Sequence, residues 1–360
     1  MYRSPYRQGL LTVVFGAGAS YDSAPSHPPP SSILPDGDVY PHRLPLANDL
    51  FKERPMFALA GAYYPRLLHV IPRLRELAPQ NSVEEVLEKL REETQAYPER
   101  YKQLLSIKFY LQQIIWSCQR EWNMEIRGVT NYRRLFDEIQ LHRKSEGVSF
   151  VTFNYDTLLE DAFQPYKRFD SLADYISAPD YLVIKLHGSV NWVRSVSMKT
   201  EDHDMTTRVI DRADELIPST EFHLVTDQQA FDAMGNFLGA STSWAGGFAC
   251  VPAIAIPLQN KDQYECPFYH VTQLEKAVSQ THKLLLIGWR ATEEKFLKLL
   301  QIRLPKDVRI LVVAENRENA QTIISSLKSQ NIAANSFEAA ESGFTNSLVK
   351  SQEIGNFIRG

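Results

Sequence analysis

Two short segments of the sequence carry side chains that can orient a substrate or move a proton. Asn154 and Asp156 follow directly on one apolar run, and His187 follows a second one. A carboxamide can orient a water molecule, and an imidazole with a pKa near ~6.5 can accept a proton at neutral pH. Each residue also has a structural explanation, because Asn and Asp are favoured helix caps and a lone histidine at a strand end is commonly structural.

A glycine turn near the start of the sequence offers a different kind of chemistry. The apolar run at residues 10–15 stops at a Gly-Ala-Gly-Ala-Ser turn, residues 16–20. Glycines let a ligand approach the backbone closely, and the free N–H groups of a following helix attract phosphate. The turn departs from the usual dinucleotide fingerprint, because Tyr21 stands where a third glycine is expected and a proline-rich loop follows over residues 22–45. We interpret this loop as a partly ordered lid.

The elements that position these groups are apolar runs alternating with helical patterns, which indicates βαβ units and a parallel sheet. In such a sheet the carboxyl ends of the strands lie along one edge, where α/β proteins bind their ligands. Five predicted strands end in small or polar residues: the glycine turn, Asn154-Tyr155-Asp156, His187-Gly188-Ser189, Gly288-Trp289-Arg290 and Glu315-Asn316. We therefore expect five separate segments to converge on one crevice.

The predicted fold class is α/β, a Rossmann-like parallel sheet with helices on both faces and a helical insertion after the first βα unit. The insertion spans about residues 46–145 and includes a capping box at Ser82-Val83-Glu84-Glu85. Residues of about 193–248 show no clear periodicity and are predicted to be an irregular insertion. We expect both insertions to fold against the same sheet, so that residues 1–360 form a single domain.

Composition bears on three classes of function: nucleic-acid binding, membrane binding and metal binding. The formal net charge of −4 gives no general reason to expect direct binding to nucleic acid. Three distant cysteines fit a reducing compartment, and no apolar run reaches the ~18 residues of a membrane span. We therefore expect a cytoplasmic protein that does not bind membranes. The acidic cluster Glu201-Asp202-His203-Asp204 is more simply a solvated loop than a metal site, so no metal is expected.

In combination and in order, these motifs resemble the sirtuin fold. They are Gly-Ala-Gly-Ala-Ser, Thr-x-Asn-x-Asp, Leu-His-Gly and Ile-Gly, and they span residues 11 to 316. The likeness is closer to the bacterial sirtuin-like domains that act as NAD hydrolases in anti-phage defence. The resemblance implies that NAD lies across the strand ends, with Asn154 and His187 as catalytic residues. It assigns nucleotide contacts to Gly16, Ala17, Gly18, Ala19, Ser20, Asp156, Gly188, Gly288, Trp289, Glu315 and Asn316.

The sequence departs from protein-deacylating sirtuins in ways that matter for activity. Phe153 replaces the glutamine before the catalytic asparagine, Trp289 and Arg290 replace a small Thr-Ser pair, and the four zinc cysteines are missing. The zinc module helps to form the acyl-lysine groove of sirtuins, so protein deacylation ranks third among the activities. A simple dehydrogenase ranks fourth, because the third glycine and the ribose carboxylate are absent.

The function implied is hydrolysis of NAD+ to nicotinamide and ADP-ribose, with Asn154 positioning the water and His187 acting as general base. The alternative from another class is a non-catalytic subunit that binds NAD or ADP-ribose and controls an assembly. Because a free NAD hydrolase would kill its own cell, we expect a homo-oligomer or a partner to regulate it. By resemblance the partner is a ring-forming ATPase of the DNA-translocase type or an Argonaute-type protein, and the helical insertion is the candidate contact surface.

Overall fold

The computed structural model describes residues 9–30, 40–54, 57–75, 82–143, 146–177, 180–198, 209–226, 249–257 and 264–360. The chain divides into two compact units. The first unit comprises Met1–Gly37, Asn123–Leu186 and Phe268–Gly360, and the second comprises Asp38–Trp122 and His187–Pro267. The predicted acidic cluster at residues 201–204 and the middle of the proline-rich loop, residues 31–39, lie outside the described residues. The single-domain interpretation stays a prediction.

The first unit is built on a six-stranded parallel sheet. Its strands are β1 Leu10–Phe15, β2 Gly147–Thr152, β3 Tyr181–Lys185, β7 Thr281–Ile287, β8 Arg309–Val313 and β9 Ser336–Ala339. The intervening strands β4, β5 and β6 belong to the second unit. The leucine- and valine-rich strands β1 and β2 are buried at every position, as expected for a parallel sheet covered on both faces. The predicted parallel sheet is confirmed.

The strand order places a switch point beside β1. The order is β3-β2-β1-β7-β8-β9, so the chain moves to one side of β1 through β2 and β3 and to the other side through β7, β8 and β9. Right-handed crossovers in opposite directions put their helices on opposite faces. This is the order of dinucleotide-binding sheets, which hold their ligand in the crevice where the order reverses.

The register brings the strand ends level at that point. Phe15, the last residue of β1, pairs with Thr152 at the end of β2 and with Ile287 at the end of β7. Thr152 in turn pairs with Lys185, and Ile287 with Val313. The turns that follow these five strands therefore start from one edge of the sheet.

Two helices of the first unit follow residues whose side chains cap them. Thr130 accepts a hydrogen bond from the Arg133 amide at 3.1 Å, and Asn316 accepts one from the Asn319 amide at 2.9 Å. The helices are α1 Ala17–Tyr21, α6 Asn131–His142, α7 Leu158–Ala162, α8 Asp174–Ser177, α9 Phe268–Ser279, α10 Glu294–Arg303, α11 Arg317–Ser329 and α12 Glu353–Arg359.

The second unit combines helices with a small antiparallel sheet. The helices are α2 Phe57–Tyr63, α3 Ile71–Arg75, α4 Val83–Glu92 and α5 Glu99–Glu125, of which α5 extends into the first unit. The capping box predicted for α4 is present, because the Ser82 and Glu85 side chains each bond the other's backbone amide. The sheet has the order β5-β4-β6, with β4 Gly188–Met198, β5 Leu216–Leu224 and β6 Ala249–Ile254.

The prediction of an irregular insertion over residues 193–248 was wrong where the structure describes it. Most of β4 and all of β5 lie in this range. The pattern was missed because β5 is partly exposed along its whole length and contains Pro218, so it lacks an apolar period. The two predicted insertions share one unit: Gln112 Nε2 donates to the Val190 carbonyl at 2.8 Å, and Arg66 pairs with Asp211 at 2.7 Å.

A buried histidine in the first unit makes stability depend on pH. His270 has no exposed surface, and its Nε2–H donates to the Leu172 carbonyl at 2.9 Å. Burial lowers the pKa of His270 to about 4. Because the folded pKa lies below the unfolded value, the neutral ring contributes stability that is complete above pH ~6.5 and is lost as pH falls towards 4.

We predict that lowering the pH from 7 to 5 costs about 2 kcal/mol of unfolding free energy through this residue, at about 1.4 kcal/mol per pH unit below ~6.5. Urea denaturation at the two pH values measures the loss. The variant His270→Gln cannot titrate and should show a correspondingly smaller difference. An equal pH dependence in the wild type and the variant would contradict the assignment.

Candidate functional site

The glycine turn after β1 docks onto the turn after β7. The Gly16 amide donates to the Ile287 carbonyl and the Gly18 amide to the Gly288 carbonyl, each at 3.0 Å. The Ala19 amide donates to the Gly16 carbonyl at 2.9 Å. Three of the turn's amides are therefore bonded within the protein, and Ala17 is the exposed residue of the turn.

This docking explains why the turns contain glycine. A Cβ atom on Gly16 would lie 2.5 Å from the Gly288 carbonyl oxygen, and one on Gly18 would lie 2.9 Å from the Gly288 Cα. Gly288 has φ +59°, and a Cβ there would lie 2.2 Å from the Ala19 amide nitrogen. The three glycines thus allow two backbone turns to touch at the switch point, a role that the sequence analysis did not separate from ligand approach.

Asn154 joins the glycine turn to the end of β2. Its Nδ2 group donates to the Gly16 carbonyl at 2.9 Å, to Ser20 Oγ at 2.9 Å and to Tyr132 Oη at 3.1 Å. A carbonyl oxygen can only accept, so this contact fixes which end of the carboxamide is the nitrogen. The side chain is buried, with 7% of its surface exposed.

Asp156 caps the helix that follows it and also bonds to the glycine turn. Its Oδ1 accepts from the Leu158 amide at 3.1 Å, which caps α7, and its Oδ2 accepts from Ser20 Oγ at 2.6 Å. The carboxylate therefore belongs to the same buried cluster as Asn154. Ser20 connects the two side chains.

Tyr132 is a member of this cluster that sequence reasoning missed. Its Oη lies 2.8 Å from Ser20 Oγ, and its ring packs against Phe15 with centroids 4.9 Å apart. Burial, and next the charge of Asp156, raise its pKa well above the usual value, so the phenol keeps its proton. Tyr132 occupies the second position of α6, where nothing in the sequence distinguishes it from an ordinary core aromatic residue.

A buried ion pair supports the turn from Asn154 to Asp156. Lys185 is fully buried, and its Nζ pairs with Glu160 Oε1 at 2.9 Å and also donates to the Asp156 carbonyl. Tyr175 Oη donates to the same Glu160 oxygen at 3.1 Å. Lys185 is therefore a buried support of this turn. Removing one member of such a pair typically costs about 3–5 kcal/mol.

His187 and Gly188 begin the second of the two segments that form the second unit. His187 is buried, and its carbonyl accepts from the Ala255 amide at 2.9 Å. Gly188 has φ +77°, and a Cβ there would lie 1.8 Å from the Ala253 carbonyl oxygen. This close crossing of β4 and β6 requires glycine for backbone packing. The placement of His187 against Asn154 stays a prediction.

The remaining predicted contacts differ in character. Trp289 is buried, stacks on Phe153 with centroids 5.5 Å apart and meets Phe296 edge-on, so its side chain is part of the core. Asn316 caps α11 through its side chain. Glu315 is exposed and lies two residues beyond the end of β8. Their assignment to a nucleotide stays a prediction.

The described residues were also compared with the requirements of a metal site and of a membrane-spanning helix. No group of three or more His, Cys, Asp or Glu side chains in that part of the chain could hold a metal ion. Across the same residues, no helix has both the length and the apolar character needed to cross a membrane.

Residues 148–228 match the family model described as the SIR2-like domain. Over these residues the chain is similar to that domain. The matched residues include Asn154, Asp156, His187 and Gly188, but not the glycine turn at residues 16–20. A comparison with curated proteins found no match.

Solved structures similar to this chain include Sir2 homologues. A Sir2 homologue–NAD complex is 13% identical, with a TM-score of 0.44, and the alignment covers 99% of this chain and 91% of that chain. A mutant Sir2 homologue with ADP-ribose is 13% identical, with a TM-score of 0.43 and 99% and 93% covered. Sir2Tm bound to a propionylated peptide is 12% identical, with a TM-score of 0.41 and 97% and 94% covered.

The contact between the two glycine turns can be tested with a matched pair of substitutions. Gly128 has φ +69°, and a Cβ atom added there would have no atom within 4 Å. Gly288 has a similar φ, but a Cβ atom added there would collide with the backbone of the opposite turn. We predict that Gly128→Ala costs about 1–2 kcal/mol, the penalty of the left-handed conformation. Gly288→Ala should cost at least ~4 kcal/mol or prevent folding. Urea midpoints measure both, and equal losses would show that the turns can separate freely.

Proposed function

We propose that this protein is an NAD+ hydrolase that converts NAD+ and water to nicotinamide and ADP-ribose. The observation that carries the proposal is that the SIR2-like match spans both Asn154 and His187, while Asn154 is held at the switch-point edge of a dinucleotide-type sheet. Solved Sir2 homologues hold NAD and ADP-ribose, which supports this choice of substrate.

The nucleotide would lie across the two joined turns at the ends of β1 and β7. Its phosphates would pass over the glycine turn, where Ala17 is exposed and where the backbone lacks side chains that would block approach. Glu315 and Asn316, directly after β8, would face the adenosine ribose. Gly288 and Trp289 would contact the nucleotide through their backbone atoms, since the Trp289 ring is packed in the core.

The reaction breaks the bond between ribose C1′ and the nicotinamide nitrogen. The bonding electron pair leaves with nicotinamide, which departs neutral because it was a cation in the substrate, so no acid is needed. Positive charge develops on the ribose, a water oxygen bonds to C1′, and the water loses one proton. The protein must therefore hold the reacting end, place a water beneath C1′ and accept a proton.

Asn154 suits the positioning part of this task. Its Nδ2 group is held by Gly16, Ser20 and Tyr132, so the carboxamide has one orientation. The Oδ1 atom at the other end would accept a hydrogen bond from the attacking water or from a ribose hydroxyl. His187 would accept the proton as general base, either from the water directly or through a ribose hydroxyl.

We predict that Asn154→Ala and His187→Ala each lower nicotinamide release by at least ~100-fold, the usual contribution of general base catalysis. The assay incubates the purified chain with saturating NAD+ and measures free nicotinamide. Asn356→Ala and His69→Ala, both on exposed helical positions, serve as controls and should retain the wild-type rate. Circular dichroism confirms that each variant is folded.

Wild-type turnover in either site variant would remove that residue from the mechanism. Saturable NAD+ binding by the wild type without any nicotinamide release would favour the non-catalytic nucleotide sensor. Release of nicotinamide only in the presence of an acyl-lysine peptide would favour the deacylase.

We further propose that the activity is the toxic step of an anti-phage defence system in the cytoplasm and is restrained until triggered. Unrestrained hydrolysis would exhaust the NAD+ of the host cell, so the chain needs a partner or self-assembly to control it. A ring-forming DNA-translocase-type ATPase and an Argonaute-type protein are the partner classes that the resemblance offers. The helical insertion over about residues 46–145 is the proposed contact surface.

A further inference from the structure

A cavity of about 530 Å³ opens on the surface of the first unit, and none of the residues assigned above lines it. Three separate segments line it: the loop at residues 25–27, the turn between α5 and α6, and Val349 near the carboxyl terminus. Two of its lining side chains are Arg127 and Arg134, and we call it the arginine cavity.

Its charge is positive and is not neutralised by ion pairs. In the part of the chain that the structure describes, neither Arg127 nor Arg134 has a carboxylate oxygen within 4 Å of its guanidinium group. Glu125 also lines the cavity and brings one negative charge, so the two arginines leave an excess of one positive charge. His27 lies on the opposite segment, with Nδ1 2.8 Å from Ser26 Oγ. Paired guanidinium groups favour a dianion such as a phosphate monoester over a single carboxylate.

The rest of the lining is apolar. Pro25, Ile126, Val129 and Val349 contribute to it, and Val129 and Val349 are 46% and 38% exposed, which is unusual for valine. Apolar walls with a few charged groups are typical of small-molecule sites, and the volume lies in the usual ligand range. A ligand with an aromatic or aliphatic body would cover these valines.

Buried hydrogen bonds hold the three segments together. Asp22 Oδ1 accepts from Thr345 Oγ1 at 2.5 Å, which joins the first loop to the carboxyl-terminal segment. Asn131 donates from Nδ2 to the Asp22 carbonyl at 2.7 Å and from its amide to the Ser23 carbonyl at 2.6 Å. These bonds fix the backbone of the three segments next to the cavity, which lowers the entropy cost of binding.

We propose that the arginine cavity binds a small organic phosphate, with the phosphate group between Arg127 and Arg134 and the organic part against Val129 and Val349. This site is separate from the proposed NAD+ site and does not depend on its activity. The class of ligand follows from two guanidinium groups that have no carboxylate partner among the described residues and that lie beside an apolar wall.

Isothermal titration of the whole chain with phenyl phosphate tests the proposal. We expect saturable binding of one molecule per chain, with inorganic phosphate and phenol each binding at least ~10-fold more weakly. Arg127→Gln and Arg134→Gln should each weaken phenyl phosphate binding by at least ~10-fold, because each removes a charge-assisted hydrogen bond. Arg303→Gln, an exposed arginine at the end of α10, and Asn154→Ala should leave the binding unchanged.

Several results would overturn the proposal. They are the absence of saturable binding, equal binding by the two arginine variants, and inorganic phosphate or phenol binding as tightly as phenyl phosphate. Loss of binding in Asn154→Ala with retention in both arginine variants would instead place the phosphate in the proposed NAD+ site. Because the probe is not a nucleotide, failure here leaves the test of NAD+ hydrolysis untouched.

Discussion

The contact between two backbone turns at the switch point of the sheet is the constraint on which the site depends. The Gly18 amide donates to the Gly288 carbonyl, and a Cβ atom at Gly16, Gly18 or Gly288 would collide with the opposite turn. The contact closes the ends of β1 and β7 against each other. Most of the turn's amides donate hydrogen bonds within the protein. A ligand would therefore contact a surface whose shape is set by the packing of the two turns.

The polar cluster is organised by that contact. The Gly16 carbonyl accepts from Asn154, and Ser20 at the end of the same short helix bonds to both Asn154 and Asp156. Tyr132 closes the cluster on one side, and the Lys185–Glu160 pair holds the Asp156 backbone on the other. Since every member is buried and bonded, the carboxamide of Asn154 is held rigidly, which a positioning group in catalysis requires.

Local patterns predicted the sheet and its polar edge. A buried parallel strand appears in the sequence as an apolar run, and the first small or polar residues after the run mark the end of the strand. The capping box at Ser82 could be predicted for the same reason, because it depends only on neighbouring residues of the sequence. Tyr132 and the Lys185–Glu160 pair could not be predicted, since they depend on which helix packs beside β2 and β3. The sheet β5-β4-β6 was missed because β5 is half-exposed and has no apolar period. The sequence predicted a ligand role for Gly188, whereas a strand crossing also requires it.

The central claim is that the edge formed by these turns binds the nucleotide. Hydrogen–deuterium exchange of the full chain, with and without saturating ADP-ribose, tests it most directly. We expect slower exchange in peptides that cover residues 16–20, 154–157 and 288–291. Unchanged exchange in all three, or protection confined to other parts of the chain, would contradict it.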